Sequence, residues 1–221
     1  MYKNSTFDLA FWIIFSATSA FAQHCRNPGN IRYHPSNPQF YAPIKTRALG
    51  FLIEVDSNPR RPPDLKPECP PLGIRYNNPG ALKTPNAGPW DRQIGMDRKG
   101  HAIFPMVEDG VVAWLTWVQR RAKSGVNTPF ELMSMYAPPD VPRNDTRRYA
   151  RRVAAALGVG PNDTVSLTGA NCSGRRGLKA FFSEIMVLEL GRAFCNKRCG
   201  VRRALFNRAA DKVFGSIPGC T

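Results

Sequence analysis

The chain has 221 residues and a formal net charge of +15, from 31 Lys and Arg against 16 Asp and Glu. That length fits one domain, with or without an extension. The charge favours a polyanionic partner, the alternative being a basic surface kept for solubility. For a chain read as exported, that partner is cell wall, lipopolysaccharide, another acidic glycan or a membrane surface rather than nucleic acid, and no cofactor is expected.

Residues 1–22 read as a secretory signal peptide. Lys3 precedes the apolar run Leu9–Phe15, and Ala20-Phe21-Ala22 forms an A-x-A cleavage signature before Gln23. The alternative is an uncleaved anchor, but the run is shorter than the roughly 20 residues that span a bilayer. No later segment is apolar enough to span, so no integral membrane segment is expected after cleavage. A periplasmic or secreted location follows, and with it an oxidising compartment. All six cysteines (Cys25, Cys69, Cys172, Cys195, Cys199, Cys220) lie beyond the signal. An even count in an exported chain predicts three disulfides, with the connectivity open. Zinc is the rival, but Cys195-x3-Cys199 has no matching second half, and His24, His34 and His101 lie far from it. No metal site is expected.

Most of the 20 prolines fall in residues 23–90. Residues 23–71, with "NPRRPPDLKPECPP", form a Pro-rich extension that reads as extended or irregular. Pairing Cys25 with Cys69, which bracket it, would close it into a loop. "LGIRYNNPGALK" at 72–83 then turns the chain sharply. Between 90 and 105, Gly95 and Gly100 punctuate a stretch with short β pieces around Ala102–Phe104.

Helical periodicity begins near residue 106, with Val111, Val112, Leu115, Val118 and Ala122 on one face. Arg120, Arg121 and Lys123 gather where cations suit the helix dipole. Thr128, Pro129 and Glu131 predict an N-cap, an N1 proline and a capping box. Asn144-Asp145-Thr146 caps the next helix, which Gly158 stops. That helix turns four arginines outward and Tyr149, Val153, Ala156 and Leu157 inward. Residues 175–191 predict a central buried helix, since Leu178, Phe181, Phe182, Ile185, Met186 and Leu188 leave little polar face. A last helix spans about 201–214, before Gly215.

Several of these blocks follow one another in a known order: "GIRYNNPGALK", "WDRQIGMDRKGHAIFP", "DGVVAWLTWVQR" and "NTPFELMSMYAPPDVPRNDTRRYARRVAAALGV". Together they resemble a family of phage and prophage proteins with an Arg-x-Asn-Asn-Pro-Gly-Asn opening. Those proteins are described as virion structural or lysozyme-like and are associated with peptidoglycan penetration. The similarity covers roughly residues 72–168, and extends to the helix at 178–191. Ile74, Arg75, Asn77, Asn78, Pro79 and Gly80 match the opening. Trp90, Gly95, Asp97, Gly100 and Phe104 match the second block. Thr128, Tyr136, Ala137, Pro138, Asn144, Asp145, Thr146 and Tyr149 match the later ones. Ala81 stands where the family tends to carry Asn, and Glu189-Leu190-Gly191 where it often has Glu-Asn-Gly. The resemblance implies a mainly α fold: a lysozyme-like helical domain over 72–192 with a small turn- and β-containing lobe. The disulfide-tied extension precedes it, and a Cys-containing C-terminal tail (193–221) follows.

Glycan cleavage needs a carboxyl group kept protonated near neutral pH, which an apolar pocket achieves by raising its pKa. Glu189 fits best: it ends the most apolar helix, between Leu188 and Leu190, with Gly191 opening space and Arg192 able to offset the unfavourable dipole. Its alternative is a charge that reaches solvent. Glu184, on the same helix, reads as solvated or ion-paired. Asp97 is the candidate second carboxylate for a retaining or inverting mechanism; its alternative is a turn cap. Asn77 and Asn78 either frame the turn or contact sugar through their amides. Trp90 and Tyr136 either stack on sugar or belong to the core. No phosphate loop or Ser/His/Asp set is visible, and oxidised cysteines exclude a thiolate nucleophile. The expected function is a peptidoglycan muramidase or lytic transglycosylase. The alternatives are a non-catalytic wall-binding module on the same scaffold and a cationic effector acting on membranes. The sequence sets no oligomeric state.

Overall fold

The computed structural model describes residues 32–33, 51–53, 72–142, 144–190 and 199–220. The signal-like segment, Cys25, Cys69, Gly191, Arg192 and Cys195 lie outside these residues. The elements run β1 (Arg32–Tyr33), β2 (Phe51–Ile53), α1 (Leu72–Arg75), β3 (Gly95–Met96), β4 (Ala102–Ile103), α2 (Val107–Lys123), α3 (Pro129–Tyr136), α4 (Thr146–Leu157), α5 (Cys172–Leu190), β5 (Cys199–Val201) and α6 (Arg203–Phe214). The described chain is mainly α, as its periodicity predicts.

Helix α5 is the spine. Leu178, Phe181, Phe182, Ile185 and Met186 are fully buried on it, whereas Leu188 keeps some exposure. Trp114 of α2 packs against Phe181 and Phe182 with ring centroids 4.9 and 4.7 Å apart. Phe206 of α6 lies 6.0 Å from Phe182. Helix α2 packs on α6, and α4 packs on both α3 and α5. Truncating a fully buried Phe in such a cluster costs about 3–5 kcal/mol, so these rings set the stability of the domain.

The helix ends follow the local chemistry. Thr128 Oγ1 accepts from the Glu131 N–H at 3.2 Å while Glu131 Oε2 accepts from the Thr128 N–H at 3.1 Å, which completes the capping box. Asp145 caps α4 by accepting from the Arg148 N–H at 2.9 Å, and Gly158 ends it at φ 72°. The inward face of α4 is rotated from the expected one: Ala150, Val153 and Ala154 are buried, while Tyr149, Ala156 and Leu157 are half-buried. Arg152 is drawn inward by an ion pair to Glu184 of α5 at 2.7 Å, so only Arg147, Arg148 and Arg151 stay exposed. Helix α2 has no side-chain cap. Its first turn is held by Glu108, which pairs with Arg208 and Lys212 of α6, each at 2.8 Å. Burial alone would raise the Glu108 pKa, but these two cations outweigh it and hold the carboxyl below its ordinary range.

The segments flanking the predicted domain are built into it. Strands β1, β3 and β4 form one antiparallel sheet, with Arg32 opposite Met96 and Met96 opposite Ala102. Strand β2 pairs antiparallel with β5, Phe51 facing Val201. The Pro-rich extension therefore contributes a strand to each sheet. The segment beyond residue 193 also packs into the core. Helix α6 buries Leu205, Phe206, Ala209 and Ala210, an apolar stripe at helical spacing that belongs to the same core. The last helix begins at Arg203, because Cys199–Val201 is taken up as strand.

Cys172, the first residue of α5, is disulfide-bonded to Cys220, with Cα atoms 5.2 Å apart at a sequence separation of 48. The bond pins the end of the chain to the spine. Replacing both with Ser is expected to lower unfolding free energy by about 2–4 kcal/mol through the loop freed in the unfolded state. Urea denaturation of the double variant checks this. No helix among the described residues is long and apolar enough to cross a membrane.

Candidate active-site cleft

The Asn-Asn-Pro-Gly turn shapes one wall. Asn77 takes φ 52°, a left-handed conformation that Asn tolerates better than most residues. Its Nδ2 donates to the carbonyls of Phe104 and Pro105 at 3.1 and 2.9 Å. Asn78 Nδ2 donates to the carbonyls of Leu82 and Ala102, both at 2.8 Å, and its Oδ1 accepts from the Leu82 N–H at 2.9 Å. The turn sits tightly on α2. A Cβ on Gly80 would come within 2.5 Å of the Trp114 ring, and one on Gly110 would collide with the Asn77 carbonyl. The outgoing chain then runs beside β4: Ala102 N–H donates to the Leu82 carbonyl at 2.9 Å, and Lys83 bridges His101.

This wall faces the ends of α2 and α3 and the loop at 137–144 across a cleft of about 820 Å³, within the size range of ligand sites. Lys83, Trp90, Lys99, His101, Trp117, Arg120, Arg121, Tyr136 and Val141 line the cleft. Tyr149 of α4 and Glu189 of α5 complete it. A smaller recess of about 170 Å³, bounded by Gly73, Tyr76 and Asn78, shares His101 and Glu189 with the cleft.

Glu189 is part-buried, and its Oε1 accepts from the Tyr149 hydroxyl at 3.2 Å. Burial pushes its pKa up. The Tyr149 hydroxyl, which donates to it, and the His101 ring pull the other way, and burial prevails. Tyr149 and Tyr136 are themselves held protonated, first by burial and then by the Glu189 charge. Glu189 is the one carboxylate among the described residues that line the cleft. The sequence matches no protein-family model and no curated protein. The chemistry of the cleft therefore rests on its own geometry.

A carboxyl group raised by burial and open to a cleft of this size can deliver a proton to a bound ligand and take one back. Removing the Tyr149 donor should raise the Glu189 pKa further, since that bond favours the carboxylate. For a reaction that uses the protonated acid, Tyr149→Phe is expected to move the alkaline limb of the pH–rate profile to higher pH. A limb that stays put or moves down would remove Tyr149 from this role.

The other predicted residues fall out differently. Asp97 is not part of the cleft wall, which corrects its expected role as second carboxylate. It is 7% exposed and caps the β3–β4 turn: Oδ1 accepts from the Lys99 and His101 N–H groups, both at 2.8 Å. Its Oδ2 lies 2.9 Å from His101 Nδ1, so Asp97 holds a cleft residue rather than acting as one. Asn77 and Asn78 are 2% and 1% exposed. Both Nδ2 groups and the Asn78 Oδ1 are committed to main chain, which is the loop-framing role, while Asn77 Oδ1 is buried without a partner. Trp90 does line the cleft but is 7% exposed, with its Nε1–H bonded to the Lys83 carbonyl at 2.9 Å and Arg120 5.5 Å over its ring. Tyr136 donates its hydroxyl to the Gly80 carbonyl and packs edge-on against Trp117 at 5.6 Å. Trp90 is thus a buried, covered ring, whereas Tyr136 is half-buried in the cleft wall. Glu184 is ion-paired, as read.

Sequence reasoning gave no site role to His101, Tyr149, Arg120 or Arg121. For Tyr149 a signal existed: it lies on the inward half of an otherwise basic helix. For His101 it was strand alternation, which sets His101 and Ile103 on one face and Ala102 and Phe104 on the other. No group of His, Cys, Asp and Glu among the described residues could hold a metal ion.

Proposed function

We propose that this protein is exported and cleaves the glycan backbone of peptidoglycan by lytic transglycosylase chemistry on a lysozyme-like helical scaffold, with Glu189 as general acid and base. The carrying observation is the solitary carboxylate. A retaining or inverting glycosidase needs a second one, and Asp97 is occupied by the turn and by His101. One buried acid suffices when the substrate supplies the nucleophile. Glu189 donates its proton to the bridging oxygen as the bond from that oxygen to the muramoyl C1 breaks. The C6 hydroxyl of the same muramoyl ring then attacks C1, and its proton returns to Glu189. The product is a 1,6-anhydro end, no water is consumed, and the enzyme is restored. The N-terminal signal pattern and the Cys172–Cys220 disulfide support an oxidising, periplasmic or secreted setting.

The test is digestion of purified sacculi by the oxidised mature protein, with soluble products read by mass spectrometry. Anhydro-muropeptides are expected. Reducing ends would replace the transglycosylase step with hydrolysis. A second reading, a wall-binding module without catalysis, draws on the basic and aromatic lining of the cleft. Binding to sacculi without release would establish it, and affinity for lipid vesicles but not sacculi would overturn both.

A further inference from the structure

The cleft lining carries a feature that the acid chemistry does not use. Arg120 and Arg121 end α2 side by side, and each guanidinium lies over a tryptophan of the cleft: Arg120 5.5 Å from the Trp90 ring centroid, Arg121 5.9 Å from that of Trp117. Trp90 is itself fixed by its bond to Lys83, so the stack is preorganised. Lys83 and Lys99 line the same cleft. Among the described residues no carboxylate pairs with any of these four cations, whereas Arg92, Arg152, Arg175, Arg208 and Lys212 all have acidic partners. Arg121 also keeps a buried Nε–H without an acceptor. Four cations facing a single acid in one cleft create a field that attracts negative charge. Stacked guanidinium groups present planar pairs of donors that match a carboxylate.

We infer that Arg120 and Arg121 form an anion subsite that takes a carboxylate of the bound glycan strand, and that the cleft thereby prefers acidic wall glycan over neutral N-acetylglucosamine polymer. The inference rests on the glycan reading above and specifies it. In peptidoglycan the matching groups are the muramoyl lactyl carboxylates of strands without peptide. The stacking leaves the Trp90 and Trp117 rings as supports for the cations rather than as sugar platforms.

Titration calorimetry with the full mature chain tests the subsite, using two oligosaccharides of equal length. One is neutral chitotetraose; the other alternates N-acetylglucosamine with N-acetylmuramic acid bearing free lactyl carboxylates. The native protein is expected to bind the acidic one roughly tenfold tighter or more, the range of a charge-assisted contact. That ratio should shrink as salt rises from low ionic strength. Arg120→Ala, at an exposed position, should bring the ratio towards one, and Arg120→Ala with Arg121→Ala should remove it. Arg151→Ala takes the same charge from an exposed site outside the cleft lining and should leave the ratio intact. Equal binding of the two probes by the native protein, or a ratio that survives Arg120→Ala, overturns the subsite and leaves the glycan reading standing. Binding of neither probe overturns that reading and the subsite with it.

Discussion

Glu189→Gln is expected to lower release of glycan fragments from sacculi by roughly 10²–10⁴-fold, the usual contribution of a positioned acid and base. Gln keeps the shape and one acceptor oxygen for the Tyr149 hydroxyl but has no proton to give. Binding of the wall should survive, since the cations of the cleft are untouched. Release that persists at the native rate would take the acid role away from Glu189. The same substitution has a second readout that needs no substrate. A carboxyl whose folded pKa is raised binds a proton in the native state that the unfolded chain has already released. Native stability therefore falls as pH rises from the ordinary value of 4.5 through the folded one. Gln carries no such penalty. Its variant should match the native protein in Tm well below pH 4.5 and exceed it once the pH passes the folded pKa of Glu189. Equal melting curves at neutral pH would mean that the native carboxyl is not desolvated, and the premise of the acid would fail.

The helices were legible because their signals are local. Thr128-Pro129 with Glu131, Asp145 with Gly158, and the apolar run of α5 each act within a few residues of chain. Glu189 could be placed at the end of the buried helix for the same reason. What the sequence hid are pairings between distant segments. Strand β2 finds β5 some 150 residues away, and nothing in Phe51-Leu52-Ile53 names its partner. Asp97 looked like a second acid because its residue type fits. Only the fold puts the His101 ring against its outer oxygen and the turn against the other. Arg120 and Arg121 were read as dipole partners at a helix end. The role inferred for them depends on Trp90, a residue 30 positions earlier.

Asn78→Ala is expected to cost about 2–4 kcal/mol in stability, since it strips main-chain groups that water does not reach. The Leu82 N–H loses its Oδ1 acceptor, and the Ala102 and Leu82 carbonyls each lose a donor, although Leu82 keeps the Ala102 N–H. The loss should spread to the cleft, because Leu82 and Lys83 form its wall. Asn78→Asp separates the two halves of the amide. It retains an acceptor for the Leu82 N–H but turns a carboxylate oxygen toward two carbonyls in a buried site. Its folded pKa must then rise, so the variant should be less stable than Asn78→Ala at neutral pH and recover as the pH falls and the group protonates. Urea denaturation of both variants at two pH values measures the difference. If Asn78→Ala kept native stability while losing affinity for wall glycan, the amide would be a ligand contact after all, and the loop would need another frame. The burial of Asn78 at 1% exposure, with an amide already bonded on both sides, points to the first outcome. The turn holds the part of the wall that shares a recess with Glu189, and the stability measurement is the one that registers it.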